Sequence, residues 1–173
     1  MKERSLFIQK FEHIAREDPR VLSAFLGGSL ADGTEDDFSD IDIYYILEEQ
    51  SYSDFTSQTR TRLAEMGPLV FLEHHNNFGF DLILFIFQNG VKGELGLGTT
   101  KNLKTLHAGP YKVLIDKKHL LDGFVFPFNH RLKERISKNT SKNSFDGIGT
   151  GTPSSSPLSH ERDSGQRSPN SSR

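Results

Sequence analysis

The sequence contains no cysteine among its 173 residues. This absence excludes a disulfide framework, a thiolate zinc site and a cysteine nucleophile, and it leaves any metal ion to carboxylates and the seven histidines. No apolar run approaches the roughly 20 residues of a membrane span. The first residues, MKERSLFIQKFEHIARED, include acids and have no apolar core of the kind found in signal peptides. We therefore expect no membrane association, and a cytoplasmic location by default.

The sequence also has little excess of either charge, because its formal net charge is only -2. Residues 137–173 contain 24 Ser, Thr, Asn, Gly or Pro and only three large apolar side chains. Such a segment cannot bury enough surface to offset its chain entropy, which predicts a disordered Ser/Gly/Pro-rich tail after a folded domain at 1–136. The tail carries +2 and the domain -4. A slightly acidic domain argues against nucleic acid as a partner.

Hydrophobic periodicity and turn residues divide the folded part into helices and strands. The predicted elements are a helix at 3–17, strands at 21–26 and 41–47, a weaker helix at 53–66, a hairpin of strands at 69–75 and 80–87, and a strand at 111–115. Residues 93–98 are predicted to be a glycine-rich loop, and alternating Phe124, Phe126 and Phe128 a strand-like cover for the sheet. This order predicts an α/β (α+β) fold with a mixed β-sheet flanked by helices.

Asp40 and Asp42 stand two residues apart at the start of a predicted strand. Side chains alternate along a strand, so both carboxylates are predicted to lie on one face. Neighbouring carboxylates repel unless a cation lies between them, and oxygen ligands favour Mg²⁺ or Mn²⁺. The alternative is that Ser39 and Asp40 cap a turn while Asp42 is a solvated strand residue.

Gly27, Gly28 and Ser29 follow an apolar strand and precede residues where a helix could begin. Glycine lets the backbone approach a phosphate, and a hydroxyl with free N–H groups at a helix start can bind its oxygens. The alternative is an ordinary turn.

Asp81 heads the apolar run 82–87. If this strand lay next to the one that carries Asp40 and Asp42, three carboxylates would converge as two-metal phosphoryl transfer requires. A solvent-facing acid at a strand end is the alternative.

Gly28-Ser29, ten intervening residues and Asp40-Ile41-Asp42 resemble the signature of the DNA polymerase beta-like nucleotidyltransferase superfamily. Asp81 occupies the place of its third carboxylate. Residues 7–121 resemble the catalytic domain of the lincosamide nucleotidyltransferases and, next, of the aminoglycoside enzymes that confer antibiotic resistance. The resemblance implies the polymerase beta-like fold and EC 2.7.7 chemistry. A nucleoside monophosphate, usually AMP from magnesium-ATP, would pass to a hydroxyl of a small molecule, with release of pyrophosphate.

By position, the resemblance implies that Gly27, Gly28 and Ser29 bind the triphosphate of ATP or another NTP. It also implies that Asp40 and Asp42 bind two Mg²⁺ ions and that Asp81 binds one of them. One departure is Asp32, which stands where relatives often have a basic residue. Glu35, Asp36 and Asp37 are expected to point outward.

The second departure is the end of the chain. Relatives continue into a helical domain that closes the acceptor site, whereas here the tail follows. We expect the catalytic half to be present and the acceptor half to be missing or replaced, by a second copy in a homodimer or by a helical partner. The alternative functions are a minimal nucleotidyltransferase antitoxin that modifies a partner protein, or an inactive nucleotide-binding module.

Three further features have ordinary interpretations. His74 and His75 are adjacent on a strand, which predicts one buried and one exposed side chain and argues against metal binding. Glu94 could be an acceptor-side base, but it lies in the predicted loop. The basic cluster Arg131, Lys133 and Arg135 is expected to be a solvated face.

Overall fold

The computed structural model describes residues 2–127. The predicted tail, the boundary at 136/137, Phe128 and the basic cluster at 131–135 lie outside the described residues. The elements are α1 (Lys2–Glu17), β1 (Val21–Leu26), α2 (Gly28–Asp32), β2 (Ile41–Leu47), a 3₁₀ turn (Glu49–Ser51), α3 (Tyr52–Met66), β3 (Leu69–His75), β4 (Asp81–Phe87), β5 (Lys92–Thr99), α4 (Leu103–Leu106) and β6 (Lys112–Asp116).

The six strands form one sheet in the order β3-β4-β5-β2-β1-β6. β2 and β5 are parallel, and every other neighbouring pair is antiparallel. A parallel pair needs a long crossover, which α3 and the β3-β4 hairpin supply here. The predicted mixed sheet flanked by helices and the predicted hairpin are therefore confirmed.

Alternation along β2 divides the core between the two faces of the sheet. Ile41, Ile43 and Tyr45 pack with apolar residues of α1 and α3, and we call this side the α1/α3 face. Tyr44 and Ile46 pack on the other side with Phe25, Leu103, Leu106, Leu121 and Phe126, and we call this the α4 face. Burying one such large side chain contributes about 1.5–3 kcal/mol. The two clusters therefore fix which side chains of each strand reach which face.

The prediction of a glycine-rich loop at 93–98 is wrong, because these residues form most of β5 in the middle of the sheet. Glycine usually weakens a strand, but here the neighbours leave no room for side chains. A Cβ on Gly96 would lie 2.4 Å from Tyr44 Cδ1, and one on Gly98 would lie 2.8 Å from Asn102 Oδ1. The glycines therefore permit a central strand.

Phe124 and Phe126 do not form a strand, and in the described part of the chain β6 is the last one. Phe126 nevertheless covers the sheet, since it is 3% exposed and its ring lies 5.0 Å from that of Phe25. The segment is held by Tyr111, whose hydroxyl donates to the Phe124 carbonyl. The alternating phenylalanines thus correctly predicted that Phe126 covers the sheet, but the predicted strand conformation is wrong.

Candidate active site

The parallel register of β2 and β5 brings two acids together on the α4 face. Asp42 is directly opposite Glu94, and both side chains are half-buried. Tyr44 lies two residues after Asp42 on the same face, and its hydroxyl donates to Glu94 Oε1 at 3.0 Å. Asp40 immediately precedes β2 and is exposed. Three carboxylates therefore gather at the beginning of two parallel strands.

Burial and neighbouring charges shift the pKa values of Asp42 and Glu94. Burial, then the charge of Glu94, then that of Asp40 raise the pKa of Asp42 to about 6. Burial also raises the pKa of Glu94, against the opposing effect of the Tyr44 hydrogen bond. Lys92 Nζ contacts Asp40 Oδ1 at 2.8 Å. Because Asp42 and Glu94 are both acidic and half-buried, an added cation would stabilise their charged forms.

The glycine turn lies against these carboxylates. The Gly27 N–H donates to the Asp42 carbonyl at 2.9 Å. Gly28 begins α2 with φ +56°, and a Cβ there would lie 1.8 Å from Asp42 Oδ2. Ser29 follows in the first turn of α2. The structure therefore packs Gly27 and Gly28 against Asp42, with Ser29 as the next residue of α2.

Asp81 does not join this group, so the expected convergence of three carboxylates through β4 is wrong. β5 separates β4 from β2, and Asp81 is paired with Leu97, which belongs to the core of the α1/α3 face. There it accepts a hydrogen bond from the Tyr52 hydroxyl and contacts His74 Nε2 at 2.5 Å. Asp81 is thus on the opposite face of the sheet from Asp42.

The sequence indicates Glu94 only as a candidate acceptor-side base in a loop, whereas the structure places it in a strand beside Asp42. It stands in Lys-Gly-Glu-Leu-Gly-Leu-Gly, where acid and glycine alternate with leucine at strand spacing. The leucines of this run enter the main core, which puts Glu94 on the other face. The period-2 pattern was therefore the available signal, and the glycines concealed it.

The remaining acids of the 32–42 segment have local roles. Glu35, Asp36 and Asp37 are exposed, as predicted. Asp32 is exposed and accepts hydrogen bonds from the Thr34 N–H at 3.1 Å and the Thr34 hydroxyl at 2.5 Å. These two bonds fix the local conformation of Asp32.

Arg4 of α1 anchors the loop that leads to Asp40. Its guanidinium donates to the carbonyls of Asp36 at 2.6 Å and Ser39 at 3.0 Å. The loop is therefore tied to the α1 helix by two carbonyl contacts.

Asp42, at the end of the same segment, is half-buried, so the alternative of a solvated strand residue is wrong.

The two histidines of β3 do not divide into one buried and one exposed residue. The side chains of His74 and His75 are 42% and 33% exposed. β3 is an edge strand, so both sides of it remain accessible to solvent. His74 pairs with Asp81, and His75 Nε2 lies 3.3 Å from Glu73.

Within residues 2–127, no three acidic or histidine side chains are arranged closely enough to hold a metal ion as they stand. At the candidate site, the Asp40 carboxylate is paired with Lys92. The same part of the chain has no helix long and apolar enough to cross a bilayer.

Comparison with known proteins gives a family for this arrangement. The family model described as streptomycin adenylyltransferase matches residues 1–147. The chain is also similar to a crystal structure of an aminoglycoside 6-adenyltransferase from Bacillus subtilis, at 17% identity and a TM-score of 0.43. That match covers 55% of this chain and 34% of that chain, about a third of the solved enzyme. No curated protein matches.

The family match extends over most of the chain, including all six strands and the candidate site. It confirms the predicted resemblance to the nucleotidyltransferase superfamily. The chain belongs to the streptomycin adenylyltransferase family.

Proposed function

We propose that the chain catalyses metal-dependent transfer of a nucleoside monophosphate, AMP from ATP in the first instance, to a hydroxyl of a small molecule such as an aminoglycoside or a lincosamide. One observation carries this proposal. The Gly27–Ser29 turn, a phosphate-binding type of backbone, is packed directly on the Asp42 carboxylate, with Glu94 beside it. Family membership supports the same reaction class.

The acids present fit a hard divalent cation. Asp40, Asp42 and Glu94 would supply only oxygen ligands, which suit Mg²⁺. Burial and neighbouring negative charges raise the pKa values of Asp42 and Glu94, which supports a cation at this place. Asp40 is exposed and would exchange Lys92 for the ion. When bound, Mg²⁺ would neutralise charge on the triphosphate and on the leaving pyrophosphate.

The other residues of the site would bind and orient the nucleotide. Gly28 lacks the side chain that would separate a phosphate from the Asp42 carboxylate, and Ser29 adds a hydroxyl donor at the start of α2. Lys92 places a positive charge at the rim, which favours an anionic triphosphate. Asp81 has no part in this arrangement, since it lies on the opposite face of the sheet.

Radiolabelled transfer tests the proposal. The full chain would be incubated with ATP labelled at the α-phosphate, Mg²⁺ and a panel that includes streptomycin and a lincosamide, with Asp42→Asn as the inactive control. Label on one of these compounds, lost in the control, is expected. Label on a co-expressed protein would support the antitoxin alternative, and Mg²⁺-ATP binding without transfer would support a nucleotide-binding module.

The same assay tests whether a helical partner or a second copy completes the acceptor site. We propose that a helical partner or a second copy raises the transfer rate of the chain. Fast turnover by the purified monomer would contradict that part of the proposal. The measurement compares rates across protein concentrations and with a helical domain added in trans.

A further inference from the structure

We infer that Tyr44 is a positioning residue that holds Glu94 beside Asp42 and so sets the divalent-metal affinity of the site. The inference rests on the proposed function, because it concerns the proposed metal site. It assigns a role to a buried polar group that packing alone does not explain, since phenylalanine would fill the same space.

The ring of Tyr44 is confined on both sides by glycine. A Cβ on Gly96 would lie 2.4 Å from Tyr44 Cδ1, and one on Gly27 would lie 2.9 Å from Tyr44 Cε2. Real Cβ atoms do not approach a ring so closely, so both positions must lack a side chain for the ring to fit. Gly27 belongs to the proposed triphosphate turn and Gly96 to the strand that carries Glu94. The ring therefore lies in a slot between the two parts of the site.

Two aromatic neighbours close the slot. The Phe25 ring is stacked on that of Tyr44 at 5.0 Å with 12° between the planes, and His107 packs at 4.9 Å. His107 is itself held by a contact between Nε2 and the Pro110 carbonyl at 2.9 Å. Tyr44 is only 7% exposed. Its side chain therefore has little freedom to point its hydroxyl elsewhere.

The hydroxyl of this confined ring donates to Glu94 Oε1 at 3.0 Å. Glu94 faces like charges on Asp42 and Asp40, which favour its rotation away from them. A hydrogen bond from a fixed donor opposes that rotation and keeps the Glu94 carboxylate beside Asp42. Groups that orient a metal ligand in this way typically change metal affinity by about 10–100-fold when they are removed.

The adjacent tyrosine provides a matched control. Tyr45 is 1% exposed on the α1/α3 face, and its hydroxyl donates to the Phe11 carbonyl at 2.7 Å. Tyr44→Phe and Tyr45→Phe thus remove the same atom from neighbouring positions. Each variant loses one hydrogen bond of a buried tyrosine, but only the bond of Tyr44 reaches a proposed metal ligand.

The experiment measures Mn²⁺ affinity of the full chain by calorimetry, with thermal unfolding as the measure of stability. Tyr44→Phe is expected to weaken Mn²⁺ binding by about tenfold or more, and Tyr45→Phe to leave it within about twofold of wild type. On a Glu94→Gln background, Tyr44→Phe should cause no further loss. Unchanged affinity in Tyr44→Phe, or equal losses in both tyrosine variants, would overturn the inference.

A second readout separates this inference from the proposed function. The ¹³C resonance of the Glu94 side-chain carboxyl in metal-free protein is expected to shift in Tyr44→Phe and to stay in place in Tyr45→Phe. An unmoved resonance in Tyr44→Phe overturns the positioning role whatever the metal result. Failure of the wild-type chain to bind Mn²⁺ overturns the proposed metal site, and with it the claim that Tyr44 sets metal affinity.

Discussion

Two acids at the starts of strands, Asp42 on the α4 face and Asp81 on the α1/α3 face, have similar sequence surroundings and different environments. Asp42 has acids for neighbours, Glu94 and Asp40, and its pKa is raised to about 6. Asp81 has a tyrosine hydroxyl and a histidine for neighbours. An acid surrounded by acids lacks a counter-charge, whereas an acid with a donor and a histidine already has partners. The comparison indicates that a cation would stabilise the α4 face rather than the α1/α3 face.

The largest expected contrast is in catalysis. Asp42→Asn should reduce AMP transfer by about 10³-fold or more, because several kcal/mol of charge stabilisation are lost and each 1.36 kcal/mol is worth tenfold. Asp81→Asn should retain activity within about threefold, provided that the variant is folded. Initial rates at saturating ATP, with circular dichroism as the folding control, make the comparison. Equal losses in the two variants would remove the distinction between the faces.

The next contrast concerns two glycines with left-handed backbones around α2. Gly28 (φ +56°) is packed on the Asp42 carboxylate, whereas a Cβ on Gly33 (φ +76°) would have no neighbour within 4 Å in the described part of the chain. Both alanine variants bear a strain of about 1–2 kcal/mol. Gly28→Ala must also displace Asp42, so it should lose nucleotide and Mn²⁺ binding, while Gly33→Ala keeps both. Calorimetry with ATP and Mn²⁺ distinguishes them, and normal binding by Gly28→Ala would contradict the account.

A smaller contrast is in the pH dependence of stability, measured in EDTA. Because the folded-state pKa of Asp42 lies above its ordinary value of 3.8, its charge opposes folding as pH rises through about 6. Asp42→Asn should therefore raise the free energy of unfolding at pH 7 by on the order of 1 kcal/mol, since partial exposure screens the repulsion, and the gain should vanish near pH 4.

Asp81→Asn should change stability in the other direction at pH 7. It weakens the hydrogen bonds with Tyr52 and His74, so the free energy of unfolding should fall. Urea denaturation from pH 4 to pH 8 provides both values. A destabilised Asp42→Asn at pH 7 would indicate that the Asp42 charge is already compensated in the metal-free chain.

The smallest contrast is between two exposed ion pairs. Lys92 binds Asp40 beside the proposed metal site, and Lys101 binds Glu49 elsewhere, both at 2.8 Å. Exposed pairs contribute about 0–1 kcal/mol, so Lys92→Gln should raise Mn²⁺ affinity by no more than about fivefold. Lys101→Gln should not change it. A weaker Mn²⁺ affinity in Lys92→Gln would show that Lys92 does not compete for Asp40.

Much of the fold was predictable because hydrophobic spacing is a local property. The helix at 3–17, the strands at 21–26 and 41–47 and the hairpin match the observed elements closely. β5 was not predictable from propensity, because its glycines are required by Tyr44 and α4, which are distant in sequence. Because β5 was not recognised as a strand, the sequence did not reveal that β4 and β2 are not neighbours in the sheet.

The candidate site was predictable where its residues are close in sequence or lie on neighbouring strands. Asp40 immediately precedes the strand that carries Asp42, and the Gly27–Ser29 turn follows the neighbouring strand, so short-range geometry brings them together. The identity of the third acid was not predictable in this way, because it depends on the strand order and on the face of the sheet that each side chain reaches. Asp81 begins β4 and Glu94 lies near the start of β5, and the registers of β5 with β2 and β4 put the two acids on opposite faces.

The location of the bound metal tests the central claim most directly. Crystals of the chain grown with MnCl₂ and a non-hydrolysable ATP analogue would show Mn²⁺ by its anomalous scattering. The account predicts a peak between Asp42 and Glu94, with the triphosphate against Gly28. A peak beside Asp81 and His74, with none at Asp42, would contradict it.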